Sequence, residues 1–271
     1  MCVYDLIFRF NQESSDRLED VFSDYLTRLS GSNQVIFESM NISGTDGCRT
    51  VRATVPFRDS LEEKNNTRLV NAAFEKLKPY LAGPVAIEPV GEDYTCGDDF
   101  ATEEEATSYV LRIHLKLRDF SPICCGQRWG HIPYYLLPAL SEAAIAKLNG
   151  WETSYAAYDQ LFYATGIGEM SAHKMLSQIS SPLNQEGLSV CRMLETELGK
   201  PVYYYLYQFY GKHRSRCPKC GGAWKAPEGS LFDYQCDACR IVADRTGIAT
   251  PQNRFFTESY GATDKALFCK G

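Results

Sequence analysis

The sequence predicts an α+β protein made of an N-terminal ferredoxin-like βαββαβ domain, a helical middle domain and a C-terminal zinc ribbon. Strand-like and amphipathic helical segments alternate at the N-terminal end, helical spacing dominates the middle, and two Cys-x-x-Cys pairs follow. The expected domains are residues 1–95, residues 96–210 with an entry strand, and residues 211–271 with a tail. A chain of 271 residues is long enough to fill two or three such domains.

The N-terminal domain is predicted from changes in hydrophobic period. Branched and aromatic residues indicate the first strand, and a serine cap before apolar residues at helical spacing indicates the first helix. Two strands follow, and in the second of them Val51, Ala53 and Val55 alternate with polar residues, as in a half-buried strand. A second amphipathic helix and a short strand complete the order. The six elements are expected over residues 3–10, 14–31, 33–42, 48–57, 60–81 and 84–90.

The middle domain is predicted to be mostly helical. After an acidic, turn-rich stretch at 91–107, residues 108–120 alternate apolar with basic residues, which indicates a strand with one basic face. Four short amphipathic segments follow, and three of them have a glycine at or near their end, which favours helix termination. These helices are expected over residues 137–150, 154–166, 168–181 and 186–199.

An aromatic run, YYYLYQFY at 203–210, follows the predicted helices. We interpret it as a packed strand or helix that joins two domains, with tyrosine hydroxyls at its wet edges. The alternative is an aromatic platform on which bases of a single strand stack.

The net charge of −6 is unevenly distributed along the chain. Residues 1–120 hold 13 basic against 21 acidic residues, whereas residues 211–271 hold 10 against 6. The C-terminal excess is smaller than that of a dedicated DNA-binding domain. The acidic N-terminal domain favours a different interpretation, a protein-binding module such as an immunity protein that neutralises a basic toxin.

The start of the chain, MCVYDLIFRF, lacks the basic flank and the unbroken apolar run of a signal peptide. No apolar stretch reaches the roughly eighteen residues that a membrane span requires. We therefore expect a cytoplasmic protein without membrane contact. In the reducing cytosol, paired cysteines indicate metal binding before a disulfide.

The two Cys-x-x-Cys pairs predict one structural zinc ion. Cys217 and Cys220 form the first pair and Cys236 and Cys239 the second, with fifteen residues between the pairs. Four thiolates close a tetrahedral site and leave no open ligand position for catalysis. A redox disulfide would need only one pair, and iron is a chemical alternative to zinc.

A basic run without acidic residues surrounds the first pair and predicts contacts with DNA or RNA. Cations on a rigid turn can hold phosphates, and a tryptophan can stack on a base. Two simpler interpretations stand beside this one, because basic residues offset the charge of zinc thiolates and Trp224 can belong to the core of the ribbon. The candidate nucleic-acid contacts are Lys212, Arg214, Arg216, Lys219, Trp224 and Lys225.

Several of these stretches together resemble a known family. VYYYLYQFYG at 202–211 runs towards CPKCGGAW at 217–224 and CDACRIVAD at 236–244, with IPYYLLPAL and Trp151 upstream. In this combination the chain, over about residues 120–245, resembles a family of uncharacterised bacterial proteins described as zinc-ribbon-containing and as candidates for nucleic-acid binding. The tyrosine run and the Pro-Tyr-Tyr stretch give the resemblance most of its specificity, since many unrelated ribbons share the cysteine pairs. The resemblance implies a zinc ribbon and a nucleic-acid partner.

An enzyme is the third hypothesis. Cys124, Cys125 and His131 would ligate a metal, with Cys96 as a further sulfur, or form a thiol–imidazole pair. The enzyme hypothesis uses Cys125 with His131, and buried inert cysteines are the alternative interpretation. The sequence contains no P-loop and no His-Glu-x-x-His motif, and the glycines of TGIGEM do not complete a dinucleotide-binding loop. We therefore favour a non-catalytic zinc-ribbon protein over an enzyme.

Overall fold

The protein has a mixed α+β fold. The computed structural model describes residues 1–36, 39–93, 100–113, 121–128, 130–163, 166–208 and 215–244. Contacts divide the chain into two compact units, Met1–Ser141 and Glu142–Gly271. The finer division into three domains therefore stays a prediction. Within the described ranges, no helix combines the length and the apolar character that a bilayer crossing requires.

The first unit contains the predicted βαββαβ order. Its sheet has the strand order β2-β3-β1-β4 with every neighbouring pair antiparallel, which is the ferredoxin-like arrangement. A short antiparallel pair, β5 with β6, follows in the same unit. The elements are β1 (Cys2–Arg9), α1 (Asp16–Gly31), β2 (Asn41–Thr45), β3 (Cys48–Val55), α2 (Arg68–Leu77), β4 (Ala86–Glu92), β5 (Tyr109–Leu111) and β6 (Ile123–Cys125).

The core of the first unit lies between one face of this sheet and the two helices. Ser15 caps α1 and Thr67 caps α2, since each side chain accepts a hydrogen bond from a backbone N–H in the first helical turn. Phe8 of β1 is fully buried and meets Phe22 of α1 edge-to-face, with 5.1 Å between the ring centroids. The amphipathic spacing that predicted α1 therefore describes the face that the helix buries.

Two elements of the first unit differ from the sequence-based expectation. The strand predicted over 33–42 is wrong in position, because β2 begins only at Asn41 and every one of its residues is exposed. Asp46 and Gly47 form a two-residue turn that pairs Thr45 with Cys48, and this turn sets the register of the hairpin. The second helix is shorter than expected, because α2 begins at Arg68, directly after its N-cap Thr67, instead of near residue 60.

The second unit begins with three helices. They are α3 (Glu142–Tyr163), α4 (Glu169–Ser177) and α5 (Pro182–Leu198). The prediction of two separate helices over 137–150 and 154–166 is wrong, because α3 runs through Gly150 without interruption. Gly150 is exposed, whereas Leu148 and Trp151 on either side of it are buried, so packing extends the helix across the glycine.

Three strands follow the helices in the second unit. They are β7 (Val202–Tyr205), β8 (Tyr234–Cys236) and β9 (Ile241–Ala243). β9 pairs with β7 in parallel and with β8 in antiparallel orientation. Residues 203–208 of the aromatic run are buried, which favours the packing interpretation over a platform open to bases; residues 209 and 210 lie outside the described ranges.

Candidate metal centre

The first cysteine pair lies on a tight turn. The backbone N–H of Cys217 donates to the Gly222 carbonyl at 2.8 Å, and the N–H of Gly221 donates to the Cys217 carbonyl at 2.9 Å. Gly221, directly after Cys220, has a φ of +72°, which a residue with a side chain adopts only at a cost. The glycine that follows this pair therefore permits the turn that brings its two sulfurs together.

The second pair lies between β8 and β9. Cys236 ends β8 and pairs with Ile241, and the N–H of Cys239 donates to the Cys236 carbonyl at 3.2 Å. The residue directly after this pair, Arg240, is also left-handed, with a φ of +54°. The two turns therefore need the same backbone conformation at equivalent positions, and only the first has a glycine there.

The four sulfurs converge. The Sγ atoms of Cys217, Cys220, Cys236 and Cys239 all lie within 4.8 Å of one another, and those of Cys220 and Cys236 are 3.8 Å apart. A tetrahedral site with metal–sulfur distances of about 2.3 Å has sulfur–sulfur separations of about 3.8 Å. This spacing is far longer than a disulfide bond of about 2.05 Å. The cluster can therefore hold one metal ion.

The thiols of the cluster have different surroundings. Hydrogen bonding from the Gly222 N–H, and then from the other cysteines, lowers the pKa of Cys220 to about 7. Burial raises the pKa values of Cys236 and Cys239 above that of an ordinary cysteine. Because a metal ion binds thiolates, loading of this cluster releases protons and depends on pH.

The second turn is attached to the rest of the unit by polar contacts that the sequence analysis missed. The Glu195 carboxylate on α5 accepts from Arg240 Nε at 3.0 Å and Nη2 at 3.1 Å. The Tyr203 hydroxyl of β7 donates to Asp237 at 2.7 Å, and the Arg240 guanidinium lies over the Tyr203 ring at 5.5 Å. The sequence offered one indication of these contacts: Arg240 stands at the position where the first turn has Gly221, and a left-handed arginine needs stabilising contacts.

The interior of the ribbon is aromatic. Trp224 is 1% exposed, and its ring stacks on that of Tyr234 with 4.8 Å between centroids and 19° between planes. Tyr234 begins β8, and the segment that holds Trp224 lies alongside it, since Lys225 bridges to Tyr234 and the Gln235 N–H donates to the Trp224 carbonyl. The prediction that Trp224 stacks on a base needs correction, because packing against Tyr234 has already buried the ring.

Three of the predicted cations are exposed around the first pair. Arg216, Lys219 and Lys225 are all exposed, and Arg216 donates to the Gly221 carbonyl at 3.1 Å. None of the three forms an ion pair within the described part of the chain. Lys212 and Arg214, the other two predicted cations, lie outside the described residues.

The proposed thiol–imidazole pair has a different geometry from the expected one. His131 Nδ1 lies 2.7 Å from the Ser121 carbonyl oxygen and 3.6 Å from Cys124 Sγ. A carbonyl only accepts, so Nδ1 carries the proton and cannot take one from Cys124. The Cys125 thiol instead has the Gln127 side-chain oxygen at 3.7 Å and the Glu105 carbonyl at 3.8 Å as acceptors. Both cysteines are buried, which favours the inert interpretation.

Together, fold and site define an α+β protein with a C-terminal four-cysteine cluster. Residues 103–207 match a family model described as a domain of unknown function (DUF2310), and residues 211–246 match a second one (DUF8594). An uncharacterized protein of Haemophilus influenzae is 31% identical over 167 residues, which cover 57% of this chain and 79% of the relative. The chain therefore belongs to this DUF2310 family of uncharacterised bacterial proteins.

Two further similarities were found. A second uncharacterized protein of Haemophilus influenzae is 28% identical over 247 residues, which cover 86% of this chain and 92% of the relative. A solved structure of a candidate antibiotic biosynthesis monooxygenase from Caulobacter crescentus matches 34% of this chain and 91% of its own, with 16% identity and a TM-score of 0.28. A TM-score this low supports no conclusion about this chain.

Proposed function

We propose that this protein is a non-catalytic zinc-ribbon protein that binds nucleic acid through the cations of residues 212–225. The observation that carries the proposal is the combination of a closed four-sulfur cluster with exposed cations on and beside its first turn, at Arg216, Lys219 and Lys225. These side chains form no ion pair within the described ranges, so their charge is available to a ligand.

Zinc is the metal that suits this cluster best. Four thiolates at tetrahedral spacing are typical of structural zinc, and they leave no position for a water molecule or a substrate. Zinc in this place would connect the two turns of a ribbon whose interior is otherwise a few aromatic side chains. The ion would act on the fold and not on a reaction.

The cations support phosphate contact better than base readout. Arg216 and Lys225 are exposed, whereas the tryptophan beside them is buried, so the described part of this surface offers charge without an open aromatic face. Charge without base contacts gives binding that depends little on sequence and strongly on salt. We therefore expect modest sequence preference.

A salt series on zinc-loaded full-length protein tests this proposal. We expect the affinity for labelled single- and double-stranded DNA and RNA to fall steeply with salt. Arg216→Gln combined with Lys225→Gln should weaken binding on every sequence and lower the salt slope by about 0.7–0.9 for each phosphate that is no longer neutralised. Lys174→Gln, which removes an exposed charge from α4, is the matched control. Wild-type protein that binds none of these ligands at low salt would refute the proposal.

Zinc content separates this proposal from a simpler role of the cations. Four thiolates with one divalent ion carry a charge of about −2, which nearby cations offset. If Arg216 and Lys225 serve only that purpose, their removal lowers zinc retention while any nucleic-acid binding keeps its salt slope. If they hold phosphates, zinc content stays at the wild-type level and the salt slope falls.

The alternative, a protein-binding role for the acidic N-terminal segment, has less support. Many carboxylates of the first unit already pair with basic side chains, so part of its negative charge is compensated locally. The pairs include Asp5 with Arg52, Glu19 with Arg49, Asp24 with Arg28 and Lys76, Asp59 with Lys64, Glu92 with Arg58 and Glu105 with Arg128. Recovery of one stoichiometric protein partner from the native host, abolished by reversal of unpaired acids of this unit, would favour the alternative.

A further inference from the structure

A small cavity with charged side chains in its wall lies beside the second cysteine turn. It has a volume of about 210 Å³ and lies where α5, the start of β7 and both cysteine turns meet. Drug-sized ligands occupy pockets of about 300–1,000 Å³, so this cavity fits a small chemical group and not a whole cofactor. Its wall includes Arg192, Glu195, Lys219, Cys239 and Arg240.

The charge that lines the cavity is mainly positive. Three cations, Arg192, Lys219 and Arg240, face one carboxylate, Glu195. The Glu195 carboxylate already accepts hydrogen bonds at both oxygens. Both accept from Arg240, and Oε2 also accepts from the Val202 N–H at 3.1 Å. Arg192 and Lys219 are exposed and form no ion pair among the described residues, so their charge at the cavity is uncompensated by a side chain.

Arg240 adds a fixed group of donors to this wall. Its Nε and Nη2 bind Glu195, and its Nη1 donates to the Asp237 carbonyl at 3.0 Å. A guanidinium has five N–H donors, so two of them are not used by these contacts. Because the ion pair and the Tyr203 ring hold the guanidinium in place, these donors need little ordering before they bind an anion.

We propose that this cavity binds one backbone phosphate of the nucleic acid, with Arg192 and Lys219 as the charged contacts and Arg240 as the fixed donor. The proposal rests on the proposed function and names a specific contact within it. It adds Arg192, on α5, to a binding surface that the sequence placed only at residues 212–225. A phosphate held by side chains from two separated segments would fix one point of the strand on the ribbon without reading its sequence.

The same cations have a competing explanation. Cys239 also lines the cavity, and a zinc-loaded cluster is negatively charged, so Arg192 and Lys219 can serve to offset the thiolates. The two explanations predict that the same variants fail in different assays. A phosphate contact affects the salt dependence of nucleic-acid binding, whereas charge compensation affects zinc retention.

The test compares Arg192→Gln, Lys219→Gln and the double variant with Lys174→Gln, all as zinc-loaded full-length protein. Both cavity positions are exposed, so the substitutions should not impair folding. Zinc per chain is measured first, and affinity for a labelled oligonucleotide is then measured from low to high salt. We expect wild-type zinc content in all variants. The double variant should lower the magnitude of the salt slope by about 0.9 on duplex, or about 0.7 on a single strand, because one phosphate is no longer neutralised.

Three results would overturn the proposal in distinguishable ways. If the double variant keeps the wild-type slope while Arg216→Gln with Lys225→Gln lowers it, the cavity holds no phosphate and the proposed function stands. Loss of zinc from the double variant would assign the two cations to the thiolates. If wild-type protein binds no nucleic acid, the proposed function fails and the cavity contact fails with it.

Discussion

Arg240 and Glu195 form a bidentate ion pair that joins the second cysteine turn to helix α5. Nε lies 3.0 Å from Oε2 and Nη2 lies 3.1 Å from Oε1, and the same carboxylate accepts from the N–H of Val202 at the start of β7. Arg240 holds a left-handed backbone, which costs about 1–2 kcal/mol for a residue with a side chain. The ion pair offsets part of that cost, so we expect metal binding at the cluster to be coupled to the packing of α5.

Removal of this ion pair should loosen the metal centre. In Glu195→Gln the amide oxygen can still accept from Val202, but the charge that holds Arg240 is removed. Because both side chains are about a third exposed, we expect a cost of only about 1 kcal/mol. Zinc transfer to a coloured chelator should be several-fold faster, and amide hydrogen exchange over 236–243 should increase.

Glu186→Gln is the matched control for that variant. Glu186 lies on the same helix, and its ion pair with Lys147 is longer, at 3.7 Å. Its removal should leave zinc transfer unchanged. Equal rates for wild type and Glu195→Gln would mean that the ion pair does not stabilise the turn.

Gly187 is a second point at which the packing of α5 can be tested. A Cβ at this position would overlap Cε2 of Tyr204 and lie 2.8 Å from Nε1 of Trp151, and both of these side chains are buried. We expect Gly187→Ala to lower the free energy of unfolding by about 1–3 kcal/mol, measured by urea denaturation with tryptophan fluorescence.

The matched substitution is Gly150→Ala, in the exposed middle of α3. A Cβ there meets no atom within 4 Å. Alanine should therefore raise stability by about 0.5–1 kcal/mol, because glycine is the poorer helix former. Equal effects of the two substitutions would contradict the packing described for α5.

The pair of Glu19 and Arg49 predicts a pH dependence in the first unit. Hydrogen bonds from the Arg49 guanidinium, and then from the Ser14 hydroxyl, lower the pKa of Glu19 below its ordinary value of 4.5. A carboxyl with a lowered folded-state pKa stabilises the fold above the unfolded pKa, and this contribution disappears as the pH falls through the folded pKa. Glu19 is nearly half exposed, so we expect less than about 1 kcal/mol.

Hydrogen exchange of the α1 amides measures this effect locally. Glu19→Gln should reduce protection at pH 7, and the difference from wild type should vanish well below pH 4.5. Glu13→Gln, an exposed neighbour, is the control and should match wild type at both pH values. A difference that persists unchanged at the lower pH would exclude the ion pair as its cause.

Local sequence patterns predicted the cysteine cluster and helix α1, because spacing and capping within a short segment determine both. The spacing of the Cys-x-x-Cys pairs is reflected in four converging sulfurs, and the serine cap and helical spacing predicted α1. The apolar residues Val35 and Ile36 favoured a strand that is absent there, because they are buried outside any strand while the exposed β2 follows later. Apolar residues mark burial, and burial does not require strand pairing.

Contacts between distant segments could not be predicted in the same way. Arg240 and Glu195 are 45 positions apart, and an arginine at the position where the first turn has glycine does not indicate which residue it contacts. The sequence suggests His131 as a base for Cys125, but the strand pairing brings it to Cys124 and to a carbonyl that fixes its proton. Strand register and long-range packing determine these contacts. The hydrophobic pattern of the sequence alone does not specify either of them.

X-ray absorption at the metal edge distinguishes one zinc ion held by the four cysteines from any other occupancy of the cluster. Wild-type protein purified under reducing conditions should contain one zinc per chain with four sulfur neighbours at about 2.3 Å. Cys236→Ser should lose the metal, whereas Cys191→Ala, a buried cysteine of the same unit outside the cluster, should retain it. A wild-type chain that binds no metal, or binds it through nitrogen and oxygen ligands, would contradict the account.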